Sequence, residues 1–199
     1  MVNIMIDSRF RKSYSTANEF IKQLNTTTNA TAKDYVETAE RILQCKIEIF
    51  STSFKEQSIE EPYGAMMRTL IEQGALKEAQ IILNSDIEDS FSRKFSLLHE
   101  IGHLFVEGAD SFNFPEKGRH FVVSTHINYS LRNIPASDYN NSEYLLNEQR
   151  ANVFALLVIM PNKEFFSALS KEDSISKIAE YFNVNKEAVF SRIALGEDE

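Results

Sequence analysis

Two N-terminal stretches repeat apolar residues at helical spacing. In "STANEFIKQL" these are Ala17, Phe20, Ile21 and Leu24, and in "TAKDYVETAERILQC" they are Tyr35, Val36, Ala39, Ile42 and Leu43. Such i, i+3, i+4 recurrence predicts two amphipathic helices. The Thr/Asn-rich "NTTTNAT" between them predicts a loop with an N-cap near Thr31. The period then changes. "KIEIFST" alternates, "GAMMRTLIEQG" is bracketed by Gly64 and Gly74, and "EAQIILN" is a short apolar run. All three predict strands, although the Met and Leu of the second also suit a helix.

Helical spacing returns in "DIEDSFSRKFSLLHEIGHLFVEG", with acids around its start and Gly108 past its end, as the helix dipole and C-capping favour. Phe91, Phe95, Leu98 and Phe105 fall on or near one face. From Asp110 to Asn141 the pattern is irregular, with Pro115, Gly118 and Pro135, and only "HFVVSTHI" reads as a strand. "NSEYLLNEQRANVFALLVIMP" predicts a second long helix stopped by Pro161. "ISKIAEYFNV" and "NKEAVFSRIALG" predict two short helices around a tight "NVN" turn.

A chain of 199 residues without repeats or low-complexity linkers is most simply one α+β domain. The single cysteine, Cys45, excludes an internal disulfide and reads as a small buried apolar residue. A formal charge of −8 argues against nonspecific nucleic-acid binding, which rewards a basic surface, and suits a basic protein partner better. "MVNIMIDSRFRKSYS" shows no signal-peptide pattern. The longest apolar run, Val153 to Met160, is far short of the ~20 residues that span a bilayer. The expectation is a cytoplasmic protein with no membrane association.

Candidate chemistry centres on "HEIGH". His99 and His103 are four residues apart, so on a helix they share a face with Cβ atoms ~5–6 Å apart. Two imidazole nitrogens can then converge on one ion, as zinc requires. Glu100 is rotated by about 100° and points beside the ion, where a carboxylate can take a proton from water and return it to a leaving amine. The HExxH pattern is short enough to arise by chance, and an ordinary amphipathic helix is the competing reading. Gly102 weighs against that reading. A glycine inside a helix costs ~1 kcal/mol relative to alanine, which implies another element packed close against it.

A zinc site needs at least a third protein ligand. No further histidine follows HEIGH at short range, so a distant carboxylate is expected. The second long helix offers Glu148, with Asn152 four residues later on the same face. An amide there can accept a hydrogen bond from the outer nitrogen of a ligating histidine and fix its tautomer.

Together, "RKFSLLHEIGHLF", "NEQRANVFALLVIMP" and "ISKIAEYFNVNKEAVFSRIALG" resemble the ImmA/IrrE metallopeptidases over roughly residues 75 to 196. The resemblance implies a zincin-like α+β fold: a small twisted sheet, an HExxH helix and a C-terminal helical subdomain. With the uninterrupted organisation of the chain, the expectation is a single metallopeptidase domain over residues 1–199, the first 70 residues matching the family in little beyond a helix-then-strands layout. Its parts would be N-terminal helices and a first strand (1–70), a catalytic core (75–160) and a helix-turn-helix-like tail (161–199). His99, His103 and Glu148 would bind Zn2+, with Mn2+ as a second option. Glu100 would be the general base and Asn152 the supporting amide. Family members are associated with cleaving helix-turn-helix repressors, so the implied partner is a protein substrate of that kind. "EAQIILN" would be the edge strand on which the substrate backbone pairs.

The 44 residues between His103 and Glu148 include an insert-like stretch, "GRHFVVSTHINYSLRNIPASDYNN", that could shape substrate choice. His120, His126 and Tyr129 within it are candidate oxyanion stabilisers by chemistry alone. In the tail, Lys186 and Arg192 would be the basic groups of a DNA-reading helix, but Glu187 intervenes and direct DNA binding is not expected. The competing functional class is a non-catalytic module that sequesters a regulator or antitoxin around a structural or vestigial metal site.

Overall fold

A computed structural model describes residues 8–24, 30–56, 65–72, 75–106, 120–122, 142–172 and 174–196. A short 3-10 turn, Ser8–Phe10, leads into α1 (Arg11–Gln23), followed by α2 (Ala32–Leu43). Thr31 caps α2 as expected: its side chain accepts from the Asp34 amide, while the Asp34 carboxylate accepts from the Thr31 amide at 2.7 Å. This reciprocal pair satisfies two amide donors that a helix start leaves open.

Strands β1 (Lys46–Thr52), β2 (Ala65–Glu72) and β3 (Ala75–Asn84) follow, with a short β4 (His120–Val122) later in the chain. The sheet order is β1-β3-β2-β4. β1 runs parallel to β3, while β2 pairs antiparallel with both β3 and β4. β3 is therefore central, and the expectation that "EAQIILN" forms an edge is wrong. Both of its hydrogen-bonding sides are taken, by β1 and β2, so the edges are β1 and β4. The order follows from the parallel return of β1 to β3, a tertiary pairing that no local pattern in the chain encodes.

Alternation gives the sheet one buried face. Ile47 on β1, Ala79 and Ile81 on β3, and Ala65, Met67 and Thr69 on β2 are buried, and the register sets Ile47 beside Ala79 and Met67 beside Ile81. Phe50, of the opposite parity on β1, is exposed. Helix α3 (Ser90–Val106) packs against β2 and β3, and twelve of its seventeen residues are buried. Behind it lies α4 (Ser142–Ile159), whose residues 151–159 are all buried. Being covered all round, α4 has no polar stripe over this stretch. Phe20 of α1, Phe105 of α3 and Phe154 of α4 meet with ring centroids 5.4–5.6 Å apart, which ties the three helices together.

Pro161 stops α4 but also opens a helix that the hydrophobic pattern did not suggest, α5 (Asn162–Lys171). The Phe165 amide donates to the Pro161 carbonyl at 2.8 Å. Then come α6 (Ile175–Phe182) and α7 (Lys186–Leu195). The turn between them uses Asn183 at φ 51°, and the Asn185 side chain caps α7 by accepting from the Ala188 amide at 2.8 Å.

Arg192, one of the two basic residues of the last helix, has a structural place. It is fully buried, donates to the carbonyls of Met160 and Gly196 at 3.0 Å each, and also to Asn162 Oδ1. Its guanidinium lies over the rings of Phe165 and Phe166, 4.8 and 5.2 Å from their centroids. An arginine with its donors directed at carbonyls and its planar group against two rings is a packing element, not a DNA contact. Tyr14 adds a second tie by donating to the Leu195 carbonyl at 2.7 Å. Among the described residues, no single helix is long and apolar enough to cross a membrane.

Candidate metal centre

The site is built where α3 and α4 come close. A Cβ placed on Gly102 would sit 3.1 Å from the Ala151 Cα, the Ala151 carbonyl oxygen and Phe154 Cδ1. A methyl there would have to push Ala151 backbone back by a few tenths of an ångström, so glycine suits this approach, and the close packing that Gly102 suggested in the sequence is found against α4. Glu148 and Asn152, on α4 either side of Ala151, consequently face His99 and His103 on α3.

His99 Nε2, His103 Nε2 and the Glu148 carboxylate form a group of potential metal-binding atoms, all within 4.8 Å of one another. The two Nε2 atoms are 2.9 Å apart. Glu148 Oε2 lies 3.3 Å from His99 Nε2 and Oε1 lies 3.3 Å from His103 Nε2. Tetrahedral zinc with bonds of ~2.0–2.1 Å holds its ligands about 3.3 Å apart. The triangle thus matches on two sides and needs only a few tenths of an ångström on the third. The side chains of His99 and His103 are 4% and 1% exposed and that of Glu148 is 13% exposed, so this donor set is nearly dry.

Tautomer and charge both suit a cation. His99 Nδ1 is 2.8 Å from Asn152 Oδ1. The amide oxygen can only accept, so Nδ1 carries the hydrogen and the lone pair is on Nε2, facing the centre. Burial alone would raise the Glu148 carboxyl pKa; when protonated, His103 and His99 outweigh it with hydrogen bonds and positive charge and hold the group well below the usual carboxylate range, and a cation facing the neutral imidazoles would supply positive charge in their place. It stays ionised, as a ligand must.

Glu100 is fully buried on α3 beside the triad. Phe95, one turn before His99, stacks on its imidazole with centroids 6.2 Å apart and planes inclined by 30°. Its i, i+4 spacing to His99 was visible in the sequence, where Phe95 was read only as a core position. Of the candidate oxyanion groups, His120 lies on edge strand β4, while His126 and Tyr129 fall outside the described residues.

No curated protein matches the chain. The model of a peptidase family, the IrrE N-terminal-like domain, matches residues 44–194, a span that includes all four strands and every residue of the site. The chain belongs to this metallopeptidase family.

Proposed function

We propose that the protein is a zinc-dependent endopeptidase that cleaves a helix-turn-helix transcriptional repressor. The observation that carries the reading is the convergence of His99, His103 and Glu148 with Glu100 buried at the next helical position. A purely structural site would have no use for Glu100. Two imidazoles and a carboxylate suit Zn2+ first and also accept Mn2+. When bound, such an ion supplies Lewis-acid polarisation of water and of the scissile carbonyl.

The chain's own residues divide the remaining work. Asn152 fixes the His99 tautomer, Phe95 holds the ring plane, and the ionised Glu148 completes the donor set. Glu100 takes the proton of the attacking water and delivers it to the leaving amide nitrogen, so one carboxylate serves both halves of the hydrolysis.

Family membership and charge support a repressor as substrate. A chain of net charge −8 attracts a basic DNA-binding protein and repels DNA itself. The tail agrees with this division. Arg192 is consumed internally, while Tyr181 and Phe190 stand 60% and 57% exposed, a composition suited to protein contact.

The test compares new protein termini in cells producing wild type or Glu100→Gln. Termini inside a helix-turn-helix protein, present only with wild type, are expected. Identical termini in both, with metal bound in both, would favour the sequestering module.

A further inference from the structure

Ser96 sits at a position on α3 where a hydroxyl is costly. It is 4% exposed, lies between Phe95 and Leu97, and its Oγ has no hydrogen-bond partner. Alanine would be the better helix former there, and burying an unpaired hydroxyl costs free energy. The usual local remedy, donation to the carbonyl four residues back, is not adopted.

The helical offset supplies a reason. Ser96 and Glu100 are four residues apart, which puts their Cβ atoms ~5–6 Å from each other on one face. Helical side chains lean toward the N-terminus, so the arm of Glu100 lies over the turn that Ser96 occupies. Both residues are closed off from solvent. We propose that Ser96 is a positioning residue for Glu100: its hydroxyl donates to the carboxylate through one shared water, the structure showing no direct bond from Ser96 Oγ. One carboxylate oxygen is then held while the other handles the proton. The inference rests on the peptidase reading for its purpose, but the pairing can be measured without a substrate.

The experiment is a double-mutant cycle in urea denaturation on the full chain, with Ser96→Ala, Glu100→Ala and the double variant, and zinc content recorded for each. If the hydroxyl serves the carboxylate, Ser96→Ala lowers the midpoint by about 0.5 M. The same change in the Glu100→Ala background leaves the midpoint unchanged or raises it, and Ser96→Thr, which keeps the hydroxyl, restores it. A crystal structure of the wild type should show Ser96 Oγ bonded to a water that it shares with Glu100.

Equal Ser96→Ala shifts in both backgrounds, or Oγ bonded to the Ser92 carbonyl, would overturn the proposal. Wild type that binds no zinc while the coupling persists would count against the peptidase reading and not against the pairing. Against any protein that wild type cuts and Glu100→Gln does not, Ser96→Ala should lose about tenfold in kcat at unchanged KM.

Discussion

His99 donates its Nδ1 hydrogen to Asn152 Oδ1 across 2.8 Å, and this bond between α3 and α4 turns the Nε2 lone pair toward Glu148. Replacing Asn152 with alanine removes the acceptor and frees the tautomer. Zinc affinity, measured by competition with a chromophoric chelator, should fall about 10–100-fold. Unchanged affinity would mean that packing alone, with Phe95 against the ring, orients His99.

Gly102→Ala sets helix propensity against packing. Alanine gains ~1 kcal/mol in helix propensity, but its methyl would meet two Ala151 backbone atoms and a Phe154 ring atom at 3.1 Å. Backbone cannot move aside as a flexible side chain can, and overpacking of this kind costs about 1–3 kcal/mol. The denaturation midpoint should drop, and zinc loading with it, because α4 carries Glu148. A stabilised variant would show that the two helices can separate freely.

Arg192→Ala should destabilise the protein by about 3 kcal/mol, because it strands buried acceptors that now receive charge-assisted hydrogen bonds. Arg192→Lys should not restore the loss, since an ammonium cannot reproduce the planar fork or its stacking on Phe165 and Phe166. Urea denaturation of both variants checks this. Full stability of Arg192→Lys would contradict the packing role described for Arg192.

Cys45 should be inert in the native state. Burial, reinforced by the negative charge of Glu40, pushes its thiol up to about 11. At pH 8 the thiolate is then only about one part in a thousand, and a disulfide reagent should modify Cys45 rapidly only after unfolding. The linkage sign is definite. With the folded value raised above the unfolded one, the contribution to stability is fully present below about pH 9 and fades as pH rises toward 11. Rapid native-state labelling at pH 8 would contradict it.

Much of the site was legible because its signals are local or carried by residue type. HEIGH lies on one helix, Gly102 signalled a close neighbour, and Glu148 and Asn152 stand one turn apart on the other helix. The Thr31 cap was likewise written in adjacent residues. What the sequence hid depends on distant partners. β3 was mistaken for an edge because strand order is set by the parallel pairing with β1. The buried role of Arg192 is not written around it in the sequence, because its acceptors, Met160 and Asn162, lie some thirty residues earlier in the chain. Helix α5 is hidden because Pro161 reads as a stop, although the same proline can open the next helix.

The most direct measurement is elemental analysis of purified wild type beside Glu148→Ala. Near-stoichiometric metal in the wild type, lost or sharply reduced in the variant, is expected if His99, His103 and Glu148 form one centre. Equal metal in both proteins, or none in the wild type after zinc is supplied, would contradict it.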